Sequence, residues 1–246
     1  MRFLSRKPII TVQMVTRDRP RQTMRAIESI SRTASMPTEL LVWDNASQPE
    51  LRGWLQVQAR AMRFTLFLSP DNIGYGAAHN EMARRGKGDF IVATTNDITF
   101  GRGWQEALMA PFRDQRVAQT CPVHIFNALT PAGVGCTMAE VPLSLRPLLT
   151  LPEYADGALF MIRRSLVQHM GSLFDPAFRL AYAEDADLSL RLRSRGYRVA
   201  AVEAVQFRRD ESEKTPAPPN LKDHWNHNHH LLLARHGHYL STRRFT

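Results

Sequence analysis

The sequence predicts an α/β fold, a single domain built on a mostly parallel sheet flanked by helices. Short apolar runs rich in β-formers alternate with stretches of helical period, at the spacing of strand–helix–strand units. A polar cluster follows each of the first four runs, namely Thr16-Arg17-Asp18, Asp44-Asn45, Asp71-Asn72 and Asn96-Asp97. In an open parallel sheet such clusters line up along the carboxyl edge, where ligands bind. Finally, 246 residues at 43% hydrophobic and 22% charged can bury a full core, which excludes disordered, collagen-like and mini-protein classes.

The elements follow in order. Ile9 to Thr16 (IITVQMVT) reads as the first strand, and after Arg17-Asp18-Arg19-Pro20 a helix carries Ala26, Ile27 and Ile30. Leu40 to Trp43 is the second strand, and the turn-forming Asp44-Asn45-Ala46-Ser47 leads into a helix through Leu51, Trp54 and Leu55. A third strand, Phe64 to Leu68, precedes a helix from Tyr75 to Arg85 and a fourth strand, Phe90 to Thr94. Thr120 to Thr150 holds Pro122, Pro131, Pro142 and Pro147 and has no clear period, so loops and short strands covering a substrate groove are expected there. Regularity returns with Ala158 to Ile162, a helix from Ser165 to Met170, and a helix opened by Glu184-Asp185 that carries Leu188, Leu190 and Leu192. Tyr197 to Val205 reads as the last strand, Arg208 to Asn220 as an exposed linker, and Leu221 to His236 as a closing helix.

Cys121 and Cys136 lack both a CxxC spacing and the number for a disulfide framework, so reduced thiols of a cytoplasmic protein are expected. No apolar run approaches the ~20 residues that span a bilayer, and the opening MRFLSRKPIITVQMVT breaks at Gln13 without a cleavage site. A soluble chain without a transmembrane anchor follows as the expectation. The formal charge of +9 attracts polyanions, whether nucleoside diphosphates, nucleic acid or an anionic membrane surface.

Several motifs stand in a specific order: VTRDRP at Val15 to Pro20, VWDNAS at Val42 to Ser47, DNIGYGAAHN at Asp71 to Asn80, and TND at Thr95 to Asp97. They are followed by Gly103-Trp104, DGALFMIRR at Asp156 to Arg164, GSLFDPAF, and YAEDADLSLRLRSRGYRV ending at Val199. From about Ile9 to about Gly237 the chain thereby resembles the inverting family 2 glycosyltransferases, especially their rhamnosyltransferase-like bacterial and phage members. The resemblance implies the GT-A fold, a Rossmann-like single domain over residues 1–246. Its nucleotide-binding half would be 1–116 and its acceptor and catalytic half 117–207, with a linker and C-terminal helix at 208–246.

It also implies a nucleoside-diphosphate sugar donor, an acceptor hydroxyl and a divalent Mn²⁺ or Mg²⁺. Transfer needs base recognition, charge neutralisation on the leaving diphosphate, and a base for the acceptor proton. The matching residues for nucleotide-sugar binding are Thr16, Arg17, Asp44, Asn72, Gly74, Asn80 and Asn96, with Asp156 and Gly157 beneath the donor sugar. Arg17 stands where the family often has an aromatic residue. The acidic metal motif is here Thr95-Asn96-Asp97, which leaves Asp97 as the carboxylate ligand. Where the family often has a metal-binding histidine after the last strand, this chain has Gln206-Phe207-Arg208-Arg209, so Arg208 or Arg209 is expected to neutralise phosphate. Glu184 and Asp185 match the catalytic acidic pair, with Asp185 as general base and Glu184 orienting the acceptor.

His224, His227, His229 and His230 read as packing and surface rather than a zinc site, and Arg191, Arg193 and Arg195 as a solvated helix face. The charge points to an anionic acceptor, either a hydroxylated base in DNA or an envelope glycan precursor. The competing function is a catalytically silent sugar-nucleotide or nucleic-acid binding protein on the same fold, against which the retained Glu184-Asp185 pair argues.

Overall fold

The computed structural model describes residues 8–129, 135–137, 153–210, 212–213 and 216–241. The first half alternates as read from the sequence: β1 (Ile10–Thr16), α1 (Pro20–Thr33), β2 (Thr38–Asn45), α2 (Pro49–Ala61), β3 (Thr65–Ser69), α3 (Tyr75–Arg85) and β4 (Phe90–Thr95). Pro20 and Pro49 open α1 and α2, where a missing N–H costs nothing and the fixed φ suits the first turn. Next come β5 (Ile98–Phe100), α4 (Trp104–Met109), β6 (Val117–Pro122), β7 (Phe126–Leu129), β8 (Gly135–Thr137), β9 (Glu153–Ala155), β10 (Leu159–Arg163) and α5 (Arg164–Met170). The chain ends with α6 (Glu184–Arg193), β11 (Arg198–Val202), β12 (Phe207–Arg209) and α7 (Leu221–Ser241). The part of the expected groove-covering stretch that holds Pro131, Pro142 and Pro147 lies outside the described residues.

Seven strands form the central sheet in the order β11-β6-β10-β4-β1-β2-β3. All run parallel except β10, which is antiparallel to both neighbours. This is the mostly parallel, helix-flanked sheet that the sequence predicts. Side chains alternate between its two faces with the period of a strand. On β10, Leu159 and Met161 join the core beneath α1, α2 and α4, whereas Phe160 and Ile162 join the core beneath α6. On β4, Val92 faces the first core and Ile91 and Ala93 the second. Each such fully buried large side chain contributes about 1.5–3 kcal/mol.

The register decides where the functional loops meet. Thr16 pairs with Asp44, Asn45 with Ser69, and Val15 with Thr95, so β1 to β4 end level and their following loops share one edge. Because β10 runs the other way and Leu159 lies beside Thr94, the segment Asp156-Gly157 that precedes it arrives at that same edge.

Two parts differ from the reading above. The last long strand stops at Val202, and the stretch expected as an exposed linker begins instead as β12, paired antiparallel with β5. Three-residue strands carry too short a period to be legible in sequence. Beyond β12, the Gln22 side-chain amide donates to Asp210 O at 2.5 Å and Arg25 pairs with Asp210 at 2.8 Å, which straps the segment onto α1. Arg191 is not on a solvated face either, since it binds Asp187 one turn earlier at 2.7 Å. Among the described residues, no helix is long and apolar enough to cross a membrane.

Gly74 couples the two halves: at φ +90° its position leaves a Cβ only 2.7 Å from Leu180 O. Left-handed backbone and a backbone clash together predict that Gly74→Ala destabilises the fold by more than about 2 kcal/mol. Denaturant titration reads this as a lowered midpoint, and an unchanged midpoint would show that the 180 segment yields to the new methyl group.

Candidate active site

At the carboxyl edge lies a cavity of about 630 Å³, within the size range of small-molecule sites. It brings together Arg17, Asn72, Asn96, Asp97, Asp156, Gly157, Glu184, Asp185 and Arg209 of the residues singled out by sequence. Thr16, Asp44, Gly74, Asn80 and Arg208 do not line it.

The physical reasons are local. The Thr16 hydroxyl is buried against that of Thr23 at 2.8 Å, and the Asn96 side-chain amide donates to both hydroxyls, at 3.1 and 2.9 Å. This network fastens the start of α1 to the turn that carries Asp97. Asn80 forms a two-way clamp on Phe174, donating to its carbonyl at 2.8 Å and accepting from its N–H at 2.9 Å. Asp44 is fully buried behind Asn45; its Oδ2 accepts from Ser47 N at 3.3 Å and lies 3.4 Å from Arg52 Nε. Burial raises its pKa, opposed by Ser47 and Arg52, and its buried Oδ1 has no hydrogen-bond partner among the described residues.

β12 separates the two arginines that sequence could not. Residues on a strand point alternately to opposite faces, and Arg209, registered opposite Ile98, lies 3.3 Å through Nε from Asp97 Oδ2. Arg208 is exposed. The other Asp97 oxygen accepts from the Thr95 hydroxyl. Arg17 and Arg19, from the loop after β1, line the same cavity.

The acidic pair opens α6, whose N-terminal peptide dipoles favour negative charge. Asp185 Oδ2 accepts from Gly157 N at 2.8 Å and its Oδ1 from Ala186 N at 2.8 Å. Gly157 in turn accepts at its carbonyl from the Tyr75 hydroxyl. Burial, together with Glu184, Asp185, Asp156 and Asp97, holds the Tyr75 proton far above the ordinary phenol range, so that hydroxyl stays a donor. Burial, then Asp185, pushes Glu184 well above the usual carboxylate range, while burial, then Asp156, does the same to Asp185. Glu184 Oε2 is buried without a hydrogen-bond partner among the described residues.

The approach to this pair is strained: Leu180, Tyr182 and Ala183 all have positive φ, at 60°, 79° and 69°, at a cost of order 1–3 kcal/mol each. Asn228 of α7 holds them. Its buried amide donates to the carbonyls of Arg179, Ala181 and Tyr182 at 2.8, 2.9 and 3.0 Å, and its Oδ1 accepts from Arg179 N at 2.8 Å.

A model of the family described as "Glycosyl transferase family 2" matches residues 11–170, well over half of the chain. The chain belongs to glycosyl transferase family 2. A curated relative, "Pre-mycofactocin glycosyltransferase" of Mycobacterium tuberculosis, found in two strains, is 30% identical over 137 residues, 53% of this chain and 28% of the relative. The family 2 chain thus spans little more than a quarter of that relative's length. Among solved structures, "Crystal structure of GalNAc-T7 with UDP, GalNAc and Mn2+" aligns at a TM-score of 0.73 and 18% identity, over 87% of this chain and 46% of the other. "Mannosyltransferase PcManGT from Pyrobaculum calidifontis in complex with GDP-Man and Mn2+" aligns at 0.68 and 18%, over 97% and 74%. The fold is therefore that of GT-A glycosyltransferases.

Sequence reasoning missed several residues of this family 2 site. Arg19, Tyr75, Tyr154, Tyr182 and Trp225 line the cavity, Asn45 lines it from the carboxyl-edge cluster named above, and Pro216 to Pro218 of the exposed linker line it as well. Tyr75, directly after the glycine that opens α3, carried a usable signal; Asn228, amid helical histidines, carried none.

Glu184 generates a pH prediction. Its folded pKa is raised above the unfolded value, so the folded state binds more protons between the two values, and stability falls as pH rises through that interval. Against Glu184→Gln, the wild type should lose more than about 1 kcal/mol between roughly pH 5 and 8. Chemical denaturation at the two pH values measures this, and parallel losses in both proteins would contradict it.

Proposed function

We propose that the chain is an inverting glycosyltransferase that moves a sugar from a nucleoside-diphosphate donor to an acceptor hydroxyl by direct displacement. The observation that carries this reading is the convergence on one cavity of an acidic pair at a helix N-terminus, Glu184-Asp185, with Asp97 and the cations Arg17, Arg19 and Arg209. The two structural neighbours named above were solved with UDP or GDP-Man and Mn²⁺, which supports a nucleotide-sugar donor.

In this reading the cavity has two ends. Asn45 and Asn72, with the buried Asp44 behind them, receive the nucleoside, and Arg17, Arg19 and Arg209 neutralise the diphosphate. Gly157 and Asp156 lie beneath the sugar, where the small side chain leaves room for it. Asp185 accepts the acceptor proton as the acceptor oxygen bonds to the anomeric carbon from the face opposite the diphosphate. The bond from that carbon to the diphosphate oxygen breaks, its electron pair leaves with the nucleoside diphosphate, and the anomeric configuration inverts. The peptide N–H groups of Gly157 and Ala186 hold the Asp185 oxygens, so its orientation is set before substrate arrives.

Asp97 fits a divalent cation as a single hard anchor. Among the described residues there is no cluster of three or more potential metal-ligating side chains, and Mg²⁺ or Mn²⁺ can complete its shell from diphosphate oxygens and water. When bound, such an ion supplies Lewis-acid charge neutralisation on the diphosphate. Arg209 would then turn from Asp97 toward phosphate. We further propose a cytoplasmic enzyme whose acceptor is an envelope glycan precursor or a hydroxylated base in DNA, both in keeping with the net charge of +9.

Asp185→Asn should bind UDP or GDP as the wild type does yet lose about 10²–10⁴-fold in transfer. Turnover within a few-fold of wild type would remove Asp185 as the base. Asp97→Ala should lose stimulation by Mn²⁺ or Mg²⁺ and bind nucleoside diphosphate more weakly, read by calorimetry. Full wild-type activity in EDTA would leave charge neutralisation to the arginines.

A further inference from the structure

α7 turns one stripe to the cavity. Leu221, Trp225, His229 and Leu232 all line it, at the i, i+4, i+8 and i+11 positions of a single helical face. A stripe that served only to pack would bury its largest member. Trp225 is instead 41% exposed, and Tyr182, on the strained approach to the acidic pair, is 52% exposed. The other exposed large hydrophobic side chains among the described residues, Val57 and Ile73, lie outside the cavity.

The Trp225 ring and the Tyr182 backbone are held in position. The Trp225 ring stacks on His229, with centroids 4.9 Å apart and planes 8° from parallel, which fixes its orientation and leaves the remaining surface to the cavity. Tyr182 sits at φ +79°, and its carbonyl accepts from Asn228 on the same helix at 3.0 Å. Aromatic side chains beside a carboxylate pair make a chemically mixed wall, apolar where a ring can lie flat and acceptor-rich where hydroxyls can donate.

We propose that Trp225 and Tyr182 form the acceptor subsite and that the acceptor they hold is a sugar ring. A pyranose matches this wall: its axial C–H groups make an apolar face for the indole and phenol, and its equatorial hydroxyls reach toward Glu184 and Asp185. A nucleic-acid base could stack as well, but its flanking phosphates would meet the carboxylates Asp156, Glu184 and Asp185. Of the arginines that line the cavity, Arg209 is already paired with Asp97 at 3.3 Å. The inference rests on the glycosyltransferase reading and narrows it from an anionic acceptor in general to a carbohydrate.

Binding of methyl glycosides of glucose, galactose, mannose, rhamnose and N-acetylglucosamine, followed by saturation-transfer NMR with UDP or GDP and Mn²⁺ present, tests it. A short DNA duplex carrying 5-hydroxymethylcytosine serves as the competing probe. At least one glycoside should bind the wild type. Trp225→Ala should weaken that binding about tenfold or more and Trp225→Phe should restore most of it. Nucleotide should still raise the melting temperature of the alanine variant. Tyr182→Ala should weaken glycoside binding in the same direction and provides a second reading should Trp225→Ala fail to fold. A nucleotide-binding wild type that ignores every glycoside, glycoside binding indifferent to both alanine variants, or a preference for the duplex would overturn the subsite. A wild type that binds neither UDP nor GDP would instead overturn the glycosyltransferase reading beneath it.

Discussion

The hydrogen bond from Gly157 N to Asp185 Oδ2, 2.8 Å long, is the joint on which the site depends. It connects the one reversed strand of the sheet to the helix that carries the acidic pair, and the Tyr75 hydroxyl on the Gly157 carbonyl adds α3 to the same junction. Three elements distant in sequence are thereby fixed through the two backbone groups of one residue. A Cβ at Gly157 would stand 3.4 Å from the Tyr75 ring and 3.5 Å from Asp185 Oδ2, ordinary van der Waals contact.

The cavity also gathers charge of both signs. Arg209 pairs with Asp97 at 3.3 Å, whereas Glu184 and Asp185 stand together in a buried setting where like charges repel and both are costly to ionise. Such a pair is held ready by peptide donors and a helix N-terminus rather than by a counter-charge. A cationic partner would quench the basicity that proton transfer requires, and none of the ion pairs among the described residues involves Glu184 or Asp185.

Much of this was legible in the sequence, for identifiable reasons. α3 was read to its exact bounds because Gly74 and Gly86 punctuate it, and the first four strands because apolar runs of four or more residues carry a signal that short loops do not mask. The carboxyl-edge clusters were legible as a series, yet only part of each cluster faces the cavity. Asn45 lines it while Asp44 lies buried, and Arg209 lines it while Arg208 does not. That choice depends on which way a strand face turns at its last residue, which adjacent polar residues cannot reveal. The β5 and β12 pairing was too short to read, Trp225 was hidden because a cavity-facing stripe on α7 resembles an ordinary packing stripe until the cavity is known, and Asn228 because its partners are backbone carbonyls distant in sequence.

The family match ends at residue 170, ahead of the acidic pair and well ahead of α7. The same face of that helix carries its anchors, Asn228 and the His236 bond to Asp187 at 2.9 Å. Trp225 takes part in neither, so exchanging its ring leaves the groups that make those bonds in place. Under the proposed function, substitutions on such a helix face, one codon at a time, would change which acceptor is glycosylated while the residues proposed to read the donor stay as they were inherited.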